Sequence, residues 1–302
     1  MAFQLSPGVN VSEVDLTTVV PSTATTIGGF AGNFNWGPVN EIITISNEVQ
    51  LVEIFGKPDS NTATSFFTAA NFLQYGSDLR VVRSVGSTAN NATNIGTPVR
   101  ILNKTNYEQN FAAGSGSMVW AAKYPGSLGN ALRVSLADAN VATGWTYSGE
   151  FSTTPTTSRY ATRAATSNDE IHIVVVDLTG AITGTANTVI EKFGFVSKAG
   201  DAKNTDGSSN YYVNVINDRS RYIYMINKAL NSSGVANTTT WGTPASNTTF
   251  AQGFVSGATG IVSSFAAGQV RVKRVSTSVK FKGGERIRIR TNNSTTGGIV
   301  GN

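Results

Sequence analysis

Residues 66–85 read FFTAANFLQYGSDLRVVRSV, a helical pattern that stops at Gly76 and gives way to a strand. Phe66, Ala69, Ala70 and Leu73 recur at helical spacing and share one face, so a helix is expected over about 62–75. From Leu79 the period changes to two. Leu79, Val81 and Val85 alternate with Arg80, Val82 and Ser84, and Arg83 interrupts the apolar face. Phe66, Leu73 and Val81 are therefore assigned to one core, with the helix facing the strand.

The residues just upstream supply partners for that strand. TTIGGFAG (25–32) suits a buried strand whose glycines permit close approach, NWGP (35–38) is a turn, and EIITIS (41–46) is a second strand. Ser46 or Asn47 can cap a short helix over 48–55, which Gly56 ends. Residues 25–86 thus form a compact α/β unit that Leu79–Val85 closes as β–α–β. The first twenty residues differ. VNVSEVDL alternates after the SPG turn, but Pro21 and a polar run isolate it. A lone terminal strand needs an external sheet edge, either of its own domain or of a neighbouring subunit.

Beyond Val85 the texture loosens. GSTANNATNIGTP (86–98) reads as a polar linker. Short strands are expected at 99–102, 118–123, 131–137 and 171–177, a helix at 186–199, a strand at 209–218 continuing to 227, and weak strands at 269–275 and 285–290. The fold class is α+β. A partial α/β core (21–86) follows an extended arm (1–20), then comes an inserted β-rich region (87–230), then a polar β-rich stretch (231–302).

Composition narrows the chemistry. The 302 residues contain no cysteine, which removes disulfides, thiol nucleophiles and cysteine-bound zinc. The N-terminus shows no signal-peptide pattern, and no stretch approaches the roughly 18 apolar residues of a membrane helix. A soluble protein made in a cytoplasm is expected. Charged residues make up 14%, and a surface of Gly, Ser, Thr and Asn suits strands, tight turns and large subunit contacts. The net charge of +5 is local: residues 271–290 hold eight Lys/Arg and one Glu, or +7, which leaves −2 elsewhere. That stretch alternates and lacks an aromatic platform, so it reads as a strand with a solvated basic face rather than a nucleic-acid site.

No catalytic constellation emerges. The single histidine, His172, lies in the apolar strand IHIVVVD and is read as structural. DAKNTDGSSN (201–210) misses calcium-loop spacing, because Gly207 is seventh from Asp201. GSGS (114–117) lacks the rest of a phosphate loop. Asp169 and Glu170 are adjacent, and in a strand they point apart. No enzyme and no cofactor are expected.

Several blocks resemble the tail sheath proteins of contractile-tailed phages, in particular the T-even-like group. They are LSPGVNVSEVD (5–15), GGFAGNFNWGPVNE (28–41), SNEVQLVEIFGKP (46–58), the 66–85 block, AAKYPGSLGNALRVSL (121–136) and the stretch 173–223. The resemblance implies a structural subunit that polymerises as helical rings around a tail tube and contracts to drive the tube through the host envelope. It implies outer domains inserted into an inner core, and an N-terminal arm that adds a strand to a neighbour; Ser6, Pro7, Gly8, Val9, Val11 and Glu13 match that arm. The implied partners are further copies of the chain, the tube protein, and baseplate and tail terminator proteins, with no direct nucleic acid and no membrane insertion. The implied location is the virion tail, after assembly in the host cytoplasm. The family also returns to its core in a C-terminal domain, which no stretch before Asn302 resembles. The Thr/Gly/Asn-rich 231–302 region keeps a decoration or receptor-binding module as the alternative.

Overall fold

The strand of the 66–85 block becomes the middle of a three-stranded sheet. The computed structural model describes residues 26–94, 99–111, 114–116, 119–140, 142–229, 241–247 and 250, with the segments Gly260–Ile261, Ile289–Arg290 and Ile299–Gly301. The first unit comprises β1 (Ile27–Gly32), β2 (Ile42–Ile45), α1 (Glu48–Phe55), α2 (Ala63–Leu73) and β3 (Asp78–Arg83). The strand order is β1-β3-β2, with β1 parallel and β2 antiparallel to β3.

Local chemistry fixes the ends. The Asn47 side chain accepts from the Gln50 N–H at 2.9 Å, and the Gln50 side-chain oxygen accepts from the Ser46 N–H at 2.9 Å, which closes the N-terminus of α1 reciprocally. Gly56 at φ 78° ends that helix. Both helices cover one face of the sheet. Phe34, Ile45, Leu51, Phe55, Phe66, Ala69, Ala70, Leu79 and Val81 form one buried cluster, and Leu73 is partly buried against it. Gly28 is needed for this packing, because a Cβ there would lie 2.5 Å from the Phe72 ring.

The body that follows contains α3 (Lys104–Asn110), β4 (Gly114–Gly116), β5 (Val119–Ala122), β6 (Leu132–Ala137), α4 (Arg159–Arg163), β7 (Glu170–Asp177), β8 (Thr188–Ser197), α5 (Tyr212–Arg219), β9 (Ile223–Ala229) and β10 (Gly260–Ile261). One antiparallel sheet runs β10-β6-β7-β8 and a smaller one runs β4-β9-β5. Residues of both sheets share a core with α5, including Trp120, Leu132, Ile173, Tyr212, Ile216 and Met225. On the other side of β7, Val174 and Val176 pack with Ala137, Ala142 and Trp145. Burial on both faces is why IHIVVVD reads as a continuous apolar run.

Three elements differ from the expectations. Residues 186–199 are the strand β8 rather than a helix. Two register shifts in its pairing with β7 each place an extra residue in β8, and the one opposite Ile171–Ile173 lets Phe193 and Val196 both face the Ile173 side. A bulge has produced a helical spacing. Residues 209–218 hold the helix α5 rather than a strand, with Tyr212, Val215 and Ile216 buried at i, i+3 and i+4. Residues 99–102 make a single bridge, Val99 to Asn91, instead of a strand. The Asn91 side chain replaces the ladder there: it donates to the Ile101 and Ala122 carbonyls at 3.1 and 2.8 Å and accepts from the Ile101 N–H at 2.7 Å. Of the expected polar linker, the described part 86–94 is packed into the body at its end, since Asn91, Ala92 and Thr93 are fully buried.

Residues 268–302 form a second unit, in which the described strands β11 (Ile289–Arg290) and β12 (Ile299–Gly301) pair antiparallel. The arm residues 1–20 and the strand expected at 269–275 lie outside the described residues.

Candidate functional site: an open sheet face and a buried junction

The polar groups singled out in the sequence are occupied locally. His172 is buried, stacked on Phe151 at 4.0 Å, and its Nδ1 accepts from the Phe195 N–H at 3.1 Å. Nε2 then carries the proton and faces the Thr153 carbonyl at 2.9 Å. Burial holds the imidazole pKa below its usual value, which favours this neutral form. Asp169 is buried and accepts from Ser158 N–H, Ser158 Oγ and Ser197 Oγ at 2.7, 2.7 and 2.5 Å. Glu170 accepts instead from Thr156 N–H at 3.0 Å. In 201–210, Asp206 accepts from the Ser208 N–H and Oγ at 2.9 and 2.6 Å around Gly207 at φ 84°, which is a closed turn. Residues 114–116 of GSGS form β4, parallel to β9. Among the described residues no group of three or more acidic or histidine side chains could hold a metal ion, and no helix is long and apolar enough to cross a membrane.

Two features remain. The first is the face of the β1-β3-β2 sheet that the helices leave uncovered. Register places Ile27 beside Asp78, Gly29 beside Arg80 and Thr44, and Ala31 beside Val82 and Ile42 on that side. Ile27 and Ile42 are 56% and 66% exposed. The face is mixed: the two bare isoleucines lie on the edge strands β1 and β2 with Gly29 and Ala31, and the middle strand presents Val82 with Asp78 and the exposed Arg80, 4.0 Å apart. Of the residues assigned to the core, Phe66 and Val81 are buried on the opposite side and Leu73 is half-buried.

The second feature was hidden in the sequence as an interruption. Arg83, the last residue of β3, points to the helix-covered side and is 2% exposed. Its Nε donates to the Phe34 carbonyl at 2.8 Å and its Nη1 to the Gly37 carbonyl at 2.8 Å. Nη2 donates to the Pro125 carbonyl at 2.7 Å and weakly to that of Asn35 at 3.4 Å. Burial pushes its pKa down to about 10, so the guanidinium stays charged at neutral pH. Three acceptors lie in the loop after β1, and the fourth lies in the body that follows β3. Around this point Trp36 sits in the body's core, 5.4 Å from the Tyr124 ring. The Val39 N–H donates to the Leu102 carbonyl at 2.9 Å, and Asn103 Nδ2 donates to the Val39 carbonyl at 3.1 Å. The pairing of Glu53 with Arg221 at 3.6 Å is exposed and contributes little.

The boundary that Arg83 marks in space also appears in comparison with known proteins. Residues 25–83 match the model of the family described as tail sheath protein Gp18 domain III, N-terminal region. A tail sheath protein of Salmonella phage ViI is 35% identical over 190 residues, covering 62% of this chain and 28% of that protein. The tail sheath protein of Enterobacteria phage T4 is 47% identical over 92 residues, covering 30% of this chain and 14% of that protein. Among solved structures, a sheath tail protein from Listeria innocua superposes with a TM-score of 0.34 at 12% identity, covering 67% of this chain and 30% of that one. Over these stretches the chain is similar to phage tail sheath proteins. Its β1–β3 unit corresponds to the opening of their domain III, and the matched part spans 28% or less of the length of these curated relatives.

Proposed function

We propose that this chain is the structural, non-enzymatic subunit of a contractile phage tail sheath. Copies polymerise as helical rings around the tail tube, and contraction of the rings drives the tube through the host envelope. The observation that carries this reading is the coincidence of the 25–83 sheath match with a unit whose sheet is covered on one side only. In this reading residues 1–20 are the linking arm, with Ser6, Pro7, Gly8, Val9, Val11 and Glu13 adding a strand to a neighbouring subunit. Residues 21–86 are the N-terminal piece of the core, 87–230 the inserted β-rich outer region, and 231–302 a polar β-rich region to which no role is assigned. Tube, baseplate and terminator proteins are the further partners, and assembly takes place in the host cytoplasm before incorporation into the virion.

Electron microscopy of purified assemblies tests the reading. Stacked rings around a tube are expected, and deletion of residues 1–20 is expected to leave a folded chain that no longer polymerises. Labelling confined to fibre tips, or normal rings formed by the deletion, would overturn it.

A further inference from the structure

We propose that Arg83 is an orientation lock, which fixes the inserted body against the sheath-like unit so that the two turn as one rigid piece. The inference starts from what its guanidinium holds. All four hydrogen-bond partners are main-chain carbonyls: Phe34, Asn35 and Gly37 in the loop after β1, and Pro125 in the body. A carboxylate partner could swing on its own side chain and follow a moving arginine. A main-chain carbonyl moves only with its backbone, so the planar fork of donors ties backbone to backbone in a fixed geometry.

The surroundings are shaped for this contact. Gly126, directly after Pro125, sits at φ 136°, and a Cβ there would come 3.2 Å from Nη2 and 3.4 Å from the Asn35 carbonyl. The glycine lets the 125–126 turn reach the guanidinium. Behind Arg83, its own carbonyl accepts from the Asn40 N–H at 3.1 Å, and the Ser84 N–H donates to the Gly32 carbonyl at 2.9 Å, so the arginine is itself anchored in the sheet. The other large contact across the boundary is Trp36, which grips by apolar packing with Tyr124, Tyr222 and Leu128. Apolar packing tolerates small rotations, because it is non-directional. Hydrogen bonds weaken steeply with angle. Trp36 therefore supplies adhesion, and direction comes from the hydrogen bonds of Arg83 to Pro125 and of Val39 to Leu102 and Asn103, of which only the first is made by a charged donor. If the orientation slips, the buried Pro125 carbonyl loses its donor while the guanidinium stays fixed to Phe34 and Gly37 on its own side, a cost that opposes rotation of the body.

The chain has no native cysteine, so paired spin labels can be placed without background. Labels at Asn71→Cys on α2 and Arg159→Cys on α4 span the junction at exposed positions. Labels at Arg159→Cys and Lys192→Cys lie within the body and serve as the control. In the full chain we expect one narrow distance across the junction. That distance should broaden or split in Arg83→Gln and in Arg83→Lys, which keeps a charge but loses the fork. The control distance should not change in either variant. Hydrogen exchange on Arg83→Lys gives a second readout. Protection should fall at Val39 and Asn40 and persist along β6 and β7. An unchanged cross-junction distance in a folded variant overturns the proposal. Uniform loss of protection through β6 and β7 also overturns it, because Arg83 would then act on general stability. No step requires polymerisation, so the outcome is independent of the sheath reading.

Discussion

The two regions on either side of Arg83 bury themselves differently. The body beyond it is closed: β7 is covered on both faces, and one ion pair is enclosed with it. Lys198 and Asp138 are 0% and 2% exposed at their side chains, with Nζ 3.6 Å from Oδ2. Lys198 also lies over the Trp241 ring and donates to the Asn168 carbonyl at 3.0 Å. The β1-β3-β2 unit is covered on one side only, and its outer isoleucines face solvent. A sheet in that state gains little from its second face. The body thus encloses both faces of its main sheet and takes Trp36 of the first unit into its core, whereas the sheath-like unit encloses one face with residues of its own.

The largest expected effect tests closure of the body. Asp138→Asn removes one partner of a fully buried pair and leaves the Lys198 ammonium under-compensated. The ordinary cost is about 3–5 kcal/mol. Chemical denaturation measures it, and a loss below about 0.5 kcal/mol, the level of a surface change, would mean that the pair is hydrated in solution.

The next pair sets one region directly against the other. Ile173→Ala empties a fully buried site in the body and should cost about 2–5 kcal/mol. Leu73→Ala truncates a side chain that is only partly buried against the unit's core. Its cost should fall below that of Ile173→Ala, at about 1–2 kcal/mol, because less apolar area is lost. Equal losses at the two sites would break the comparison, since they would show Leu73 to be as enclosed as Ile173.

Acidification sharpens it further. His172 is neutral in the folded body, and burial holds its pKa below the unfolded value. Below about pH 6.5 the unfolded chain therefore binds more protons, and stability falls as pH drops. Protonating Nδ1 would also set two donors against each other at the Phe195 N–H, which sits in the β8 bulge at φ 56°. Glu170 and Glu191 oppose this trend: burial raises both their pKa values, so they favour the folded state as pH falls. The difference between parent and His172→Gln isolates the histidine. The parent should lose stability relative to the variant as pH falls below about 6.5. Parallel curves would show that His172 titrates alike in both states.

The sequence was most legible where local signals agreed. Asn47, Gln50 and Gly56 announce α1, and the helical spacing of Phe66, Ala69 and Ala70 announces α2, because capping and periodicity are read over a few residues. It failed where tertiary pairing rewrote a period. The bulges of β8 put Phe193 and Val196 on one face and imitated a helix. In α5, the alternation of Tyr211 and Val213 obscured the helical set Tyr212, Val215 and Ile216. Arg83 was visible only as a fault in an apolar strand. Its partners lie 42 to 49 residues away in sequence, and all are carbonyls, which every residue possesses. No residue type could have signalled them. The open face was equally silent, because Ile27 and Ile42 have the composition of core residues and are exposed only by the arrangement of the helices.

The smallest expected effect on stability carries the largest expected effect on assembly. Ile42→Ser lies at the edge of the uncovered face, where the parent side chain is 66% exposed. In the isolated chain little apolar area changes environment, so the cost should stay within about 0.5 kcal/mol, as for ordinary surface substitutions. Some loss of strand propensity is included in that figure, since serine is less suited to a pleated surface than isoleucine. If the face is covered in the assembled tail, the same substitution removes a buried isoleucine at every copy, and a helical polymer repeats the defect along its length. Ring formation, scored by sedimentation and electron microscopy, should then fail or require a higher protein concentration, while the denaturation midpoint is unchanged. A midpoint loss approaching that of Ile173→Ala would mean that the face is already covered within the single chain. Normal rings with an unchanged midpoint would mean that the face stays bare in the tail.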